Sequence, residues 1–317
     1  WLVAWVACLS GCGGNETAPI ETDSAEHAGT ATTDPRAGGD KANRNGSGTP
    51  GEIGHEPGPF HFTNMIADSG IDFVHCSGVT PEKPFPAANG SGVGACDFDG
   101  DGWTDLFFAT GNPLTSEFEA TLSSPDSGTE SVGSASHSNR CYRNLGDWKF
   151  EDITIPAGLE QFSFSAGVAC GDFDNDGFPD LYVTCFGRNL LYRNLGDGIF
   201  ESVAADAGVA DPRWGTSAAF FDANNDGNLD LYACNYAEWT PQTNEFCGDR
   251  SRNLRTFCGP STVKPQPDVF YLSNGDGTFR DATEVSGLAS RHGRGQGVIA
   301  VDLNDDGSTV AIGGPNK

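Results

Sequence analysis

One acidic loop recurs along the chain with matching neighbours, and no other feature limits the fold as tightly. It reads Asp97-Phe98-Asp99-Gly100-Asp101-Gly102-Trp103-Thr104-Asp105, then Asp172-Phe173-Asp174-Asn175-Asp176-Gly177-Phe178-Pro179-Asp180, then Asp222-Ala223-Asn224-Asn225-Asp226-Gly227-Asn228-Leu229-Asp230. A fourth copy keeps Asp302, Asn304, Asp306 and Gly307 but has Val310 where the last Asp would stand. The second and third copies start 50 residues apart, while the other spacings are 75 and 80. Self-similarity on that scale marks a repeat architecture in which one supersecondary unit is used again and again.

Each loop lies between two short runs rich in β-formers, such as Ala166–Cys170 before it and Leu181–Cys185 after it. Runs of this kind bounded by turn residues read as strands. A third strand carries Tyr142-Arg143-Asn144, Leu191-Tyr192-Arg193-Asn194 and Phe270-Tyr271-Leu272-Ser273, and a Gly-Asp turn follows each. Such turns are strong hairpin signals. A fourth strand runs through Phe150, Phe200 or Phe279, with Gly158, Gly208 or Gly287 eight positions later. Four antiparallel strands per repeat make a propeller blade, so the fold class is all-β, a propeller-like array of four-stranded blades. The blades are expected at about 90–158, 164–208 and 214–287, with a partial blade at 295–313. Phe62 and Gly70 share the eight-residue offset, which predicts an outer strand at 60–66. One outer strand, three blades and part of a fourth fall short of the four blades an ordinary ring needs, so the array reads as incomplete. Glu117–Ser138 and Tyr236–Pro267 read as insertions at blade edges.

Oxygen donors at positions 1, 3 and 5, Gly at position 6 and a carboxylate at position 9 suit a hard cation, with the main-chain carbonyl of position 7 as a further ligand. The expected ligands are Asp97, Asp99, Asp101, Trp103 and Asp105; Asp172, Asp174, Asp176, Phe178 and Asp180; Asp222, Asn224, Asp226, Asn228 and Asp230; and, in the degenerate copy, Asp302, Asn304 and Asp306. Ca²⁺ accepts six to eight oxygens in flexible geometry, whereas Mg²⁺ demands a tight octahedron and retains its waters, so Ca²⁺ is the expected cofactor. The loops are not EF-hands, because Phe108, Val183 and Ala233 stand where a bidentate Glu would be. A purely turn-forming role for these Asp and Gly residues leaves the carboxylate at position 9 without a reason.

At these residues the sequence resembles the FG-GAP or VCBS repeats of integrin-α-type β-propellers. It resembles still more closely the proteins similar to cartilage acidic protein, which join such a propeller to an ASPIC/UnbV domain. The likeness covers about residues 60–308 and includes Phe62-Thr63-Asn64, Gly275-Asp276-Gly277-Thr278-Phe279 and Cys258-Gly259-Pro260. It implies a calcium-bearing extracellular scaffold, often adhesive, with no agreed enzymatic activity, so the expectation is a protein that is not an enzyme. The C-terminal domain is missing from the sequence, and the fourth loop lacks its last carboxylate.

Trp1–Ser10 is an apolar stretch of signal-peptide length, and Leu9-Ser10-Gly11-Cys12 resembles a lipobox, with Cys12 as the lipidation site of segment 1–12. Residues 13–59 have the composition of a disordered tether. The expectation is an exported lipoprotein, periplasmic or at the cell surface, that meets the membrane only through its anchor. A formal charge of −26 excludes nucleic acid as a partner, because such a field repels phosphate. The partner is then an unidentified protein or glycan. Ten Cys in an exported chain favour disulfides, and Cys247 with Cys258, in one insertion that otherwise lacks a core, is the preferred pair. No catalytic constellation emerges: the His residues are scattered and no Gly-x-Ser-x-Gly elbow is present. Gly90, Gly92 and Gly94 imitate a nucleotide loop but precede a strand, so blade packing accounts for them better. Arg143 and Arg193 read as braces between strands, and Trp103, Trp148, Trp214 and Trp239 as packing groups that could also stack on a sugar. The alternatives are a polysaccharide-acting propeller enzyme, using carboxylates or His292 near a central channel, and a truncated fragment without a function of its own.

Overall fold

The computed structural model describes residues 62–114, 137–289, 292–303 and 309–315. The expected signal segment with Cys12, the tether, Asn304, Asp306 and most of the Ser-rich insertion lie outside the described residues. Among the described residues one α-helical turn, Ile66–Ser69, accompanies a structure otherwise built from strands and short 3-10 turns.

Three four-stranded antiparallel sheets follow one another, each in sequential strand order. The first is Val93–Cys96, Asp105–Phe108, Arg140–Asn144 and Phe150–Asp152. The second is Ser165–Gly171, Asp180–Cys185, Leu190–Asn194 and Phe200–Ser202. The third is Gly215–Phe221, Asp230–Asn235, Val269–Ser273 and Phe279–Asp281. A two-stranded sheet, Gly295–Val301 with Val310–Pro315, follows the three full blades. In all three full sheets the residue before the acidic loop pairs with the Asp that ends it, as Cys96↔Asp105, Gly171↔Asp180 and Phe221↔Asp230. Each acidic loop is therefore the connection between a blade's first and second strands.

The core lies between blades. Asp180–Cys185 and Asp230–Asn235 are buried at every position, because neighbouring sheets cover both faces and the usual in–out alternation is lost. Phe98, Phe107, Leu181, Val183 and Phe200 fill the space between the first two blades, and Phe173, Tyr182, Leu231, Val269 and Phe279 fill the next. Position 2 of the acidic loop supplies an aromatic anchor to each layer: Phe98 meets Phe200 edge-on at 5.5 Å, and Phe173 meets Phe279 at 5.7 Å.

The outer strand expected at 60–66 is not formed by the described residues. Residues 62–65 carry no strand, Ile66–Ser69 coil into a helical turn, and Phe62 is 78% exposed. A strand needs a neighbouring strand for its N–H and C=O groups, whereas Met65 O accepts Asp68 N–H at 3.2 Å and starts the helical turn instead. The eight-residue offset encodes a different joint. Gly70, Gly158 and Gly208 all have φ between +75° and +85°, and each turns its chain against the next blade's fourth strand. A Cβ on them would stand 2.5 Å from Phe150 O, 2.8 Å from Phe200 O and 3.2 Å from Phe279 O respectively. Gly70 thus makes the same contact with the first blade that Gly158 makes with the second.

The Tyr236–Pro267 insertion builds a short ladder, Ala237–Glu238 with Lys264–Pro267, and a hairpin, Cys247–Asp249 with Leu254–Thr256. A Cys247–Cys258 disulfide bridges the hairpin's flanks. The insertion does not lack a core, because Tyr236, Trp239 and Val263 join Phe85, Phe164 and Trp214 in an aromatic cluster.

Candidate metal centres

The three acidic loops share one hydrogen-bond scheme. The first carboxylate accepts two backbone N–H groups: Asp97 those of Asp101 and Gly102 at 3.1 and 2.8 Å, Asp172 those of Asp176 and Gly177 at 3.1 and 2.9 Å, Asp222 those of Asp226 and Gly227 at 3.1 and 2.8 Å. The position-5 carboxylate accepts the N–H of position 7, at 2.8 Å from Trp103, 2.9 Å from Phe178 and 2.9 Å from Asn228. These bonds curl the chain so that the side-chain oxygens converge.

In the first loop Asp97, Asp99 and Asp105 bring carboxylate oxygens within 4.8 Å of one another, and in the second Asp172, Asp174 and Asp176 do so. In the third, Asn224 supplies an amide oxygen where the others have a carboxylate, and Asp222 Oδ1 and Asn224 Oδ1 both accept Asp226 N–H. Asp302 belongs to the fourth copy, whose remaining ligands are outside the described residues.

The Asp at position 9 has a second task that spacing does not reveal. Asp105, Asp180 and Asp230 are fully buried. One oxygen of each accepts the N–H of loop position 2, from Phe98 at 2.9 Å, Phe173 at 2.9 Å and Ala223 at 3.0 Å. The other accepts a third-strand N–H, from Asn144 at 2.7 Å, Asn194 at 2.8 Å and Ser273 at 2.8 Å. The residue therefore staples the loop to the sheet, and in the first loop it also faces the ligand cluster. Burial pushes all three carboxyls above their usual range, Asp180 to about 7, while the two backbone donors oppose the shift.

Arg143 and Arg193, on third strands, do not simply brace neighbouring strands. Arg143 Nε lies 2.9 Å from Asp99 Oδ2, and Arg193 Nε 2.9 Å from Asp174 Oδ2. Arg143 Nη2 also donates to Asp197 O in the next blade's hairpin turn at 3.3 Å.

These residues fit a divalent cation. Like charges packed this closely disfavour full ionisation, and burial raises Asp174 as well. Its Oδ1 is buried and makes no hydrogen bond of normal length. A set of hard oxygens with one buried acceptor left over matches Ca²⁺ better than a softer metal.

Two segments, residues 126–183 and 172–233, match the FG-GAP-like repeat family. The likeness to FG-GAP-like repeats is thus found in two places, which together span residues 126–233. The first matched segment ends just beyond the second acidic loop, and the next runs from that loop through the third. No curated protein matches the chain. Among solved structures it is similar to a lectin of Agrocybe aegerita, described by its specific recognition of non-reducing terminal N-acetylglucosamine. Identity is 19% and the TM-score 0.31, with 69% of this chain and 45% of the lectin covered. The chain thus spans less than half of that lectin's length.

The other sequence candidates fall into structural places. Trp214 and Trp239 are buried in the aromatic cluster, whereas Trp103 and Trp148 are exposed. Gly92 and Gly94 lie against the first strand of the second blade, where a Cβ would meet Ala166 O at 3.1 Å and Val168 Cγ1 at 2.7 Å. Strand packing, and not a phosphate loop, is their role.

Proposed function

We propose that the chain is an extracytoplasmic, calcium-stabilised FG-GAP propeller scaffold for adhesion or for binding a protein or glycan, held to its membrane through Cys12. The observation that carries this reading is the convergence of carboxylate oxygens in the acidic loops of the first two blades, the second of which lies within the segments that match the FG-GAP-like repeat. Asp97, Asp99, Asp101 and Asp105 with the Trp103 carbonyl, Asp172, Asp174, Asp176 and Asp180 with the Phe178 carbonyl, and Asp222, Asn224, Asp226 and Asp230 with the Asn228 carbonyl would hold the ions. Calcium supplies the counter-charge that lets each cluster stay folded, and the strands on either side of each loop are fixed with it. Among the described residues the grouped carboxylates are those of the acidic loops, which favours the scaffold reading over an enzyme. The finer likeness to cartilage acidic protein-like proteins belongs to the same proposal.

The test is thermal unfolding in millimolar Ca²⁺ and in EGTA. For extracellular modules Kd is about 10⁻⁴–10⁻³ M, and a tenfold excess over Kd adds roughly 1.4 kcal/mol per site. Three filled sites give a clear rise in melting temperature, and identical curves in Ca²⁺ and EGTA reject the reading.

A further inference from the structure

Resting on the calcium reading above, one further feature of the loops concerns charge. The first two loops carry an Asp at position 3, Asp99 and Asp174, and each is ion-paired at 2.9 Å with an Arg of its own blade's third strand. The third loop carries Asn224 there, and the third-strand position corresponding to Arg143 and Arg193 is Leu272. Two changes thus occur together. Where a carboxylate is added, a guanidinium is added beside it; where the carboxylate is an amide, the guanidinium is a leucine.

Counting both groups, the first two sites have four carboxylates and one guanidinium, and the third has three carboxylates and none. All three sites therefore carry the same formal charge, three negative. Arg280, whose charge reaches Asp226 of the third loop, donates its hydrogen bonds to Ser273 O and Asn274 Oδ1 and forms no ion pair like those of Arg143 and Arg193 among the described residues. We propose that Arg143 and Arg193 are charge-balancing residues of the first two calcium sites, set there to offset the extra carboxylate at position 3 and to hold the three sites at matched affinity.

Each Arg also has a positioning side to its contacts. Arg143 Nη2 reaches Asp197 O, and Arg193 Nη2 stands 2.7 Å from where a Cβ on Gly277 would be, so each spans from its loop to the hairpin turn of the next blade. Its charge and its bracing contact must be separated by experiment. A lysine at the same place keeps the charge and loses the planar fork.

The experiment is calorimetric titration of CaCl₂ into the metal-depleted whole chain, together with melting temperatures in EGTA. The variants are R143L, R143L/R193L, R143K/R193K, and the exchange D99N/R143L, which gives the first loop the third loop's combination. Removing one positive charge about 6 Å from a divalent ion in a water-like dielectric changes affinity about tenfold. R143L/R193L is expected to tighten two of the three sites by about that factor and to melt lower than wild type in EGTA, where the carboxylates repel without relief. R143K/R193K is expected to keep wild-type affinity, and D99N/R143L to return both affinity and EGTA melting toward wild type. Unchanged or weaker calcium binding in R143L/R193L would overturn the charge-balancing role, as would an exchange variant no better than R143L alone in EGTA. Should wild type itself bind no calcium, the calcium reading fails and this inference with it, an outcome visible in the first titration and distinct from the others. If R143L/R193L does not fold, the exchange and lysine variants decide by the same readouts.

Discussion

Replacing Asp180 by Ala separates the two duties of the last carboxylate in the loop. Its Oδ2 accepts Phe173 N–H at 2.9 Å and its Oδ1 accepts Asn194 N–H at 2.8 Å, with the side chain fully buried. Alanine leaves two buried backbone donors without acceptors, each costing about 1–3 kcal/mol, or about 2–6 kcal/mol together. Burial also disfavours the carboxylate, whose pKa is pushed up to about 7, so removing it recovers part of that cost. The lower half of the range is expected, about 2–4 kcal/mol, equivalent to a fall of about 4–16 °C in melting temperature for a chain of this size. The assay is thermal unfolding by circular dichroism in EGTA, so that no ion contributes. Asp176→Ala is the control: its carboxylate is exposed and accepts only the N–H of Phe178 within the loop, so it should melt close to wild type in EGTA and fall behind only in calcium. If Asp180→Ala also melts with wild type in EGTA, the staple has no energetic content and the residue acts through the ion alone.

Three further outcomes follow from the packing. Phe98→Ala removes a fully buried ring that meets Phe200 edge-on, and should cost about 3–5 kcal/mol in chemical denaturation. Gly167→Ala places a Cβ 2.6 Å from Thr216 O and should destabilise by about 1–3 kcal/mol, whereas Gly297→Ala, with nothing within 4 Å, should be neutral; equal melting of the two variants would contradict the close approach of the first strands. Cys247→Ser opens the 11-residue bridge to Cys258, so trypsin should cut the 247–256 hairpin at Arg250, Arg252 or Arg255 much faster than in wild type while blade peptides stay protected.

The blades were legible because their signals are local. Each hairpin turn, each acidic loop and each run of β-formers lies within a few residues, and the repetition of the set leaves little choice of fold. The duties of the position-9 Asp were not legible, since its second donor is Asn144, Asn194 or Ser273, 14 to 43 residues away across a strand pairing. Arg143 and Arg193 hid for the same reason, although comparing the repeats with one another, Asp with Arg and Asn with Leu, was a signal available in the sequence alone. The offset from Phe62 to Gly70 predicts a strand because it matches the fourth strands. What it marks is the glycine turn after them, which presses on the neighbouring blade whether or not a strand precedes it.

The most direct measurement is a crystal structure of the protein grown in millimolar calcium, with an anomalous difference map recorded at long wavelength. Peaks are expected inside the loops at 97–105, 172–180 and 222–230, each ringed by oxygens at about 2.3–2.6 Å. Loops that hold only water at that calcium concentration, with their carboxylates turned outward, would contradict it.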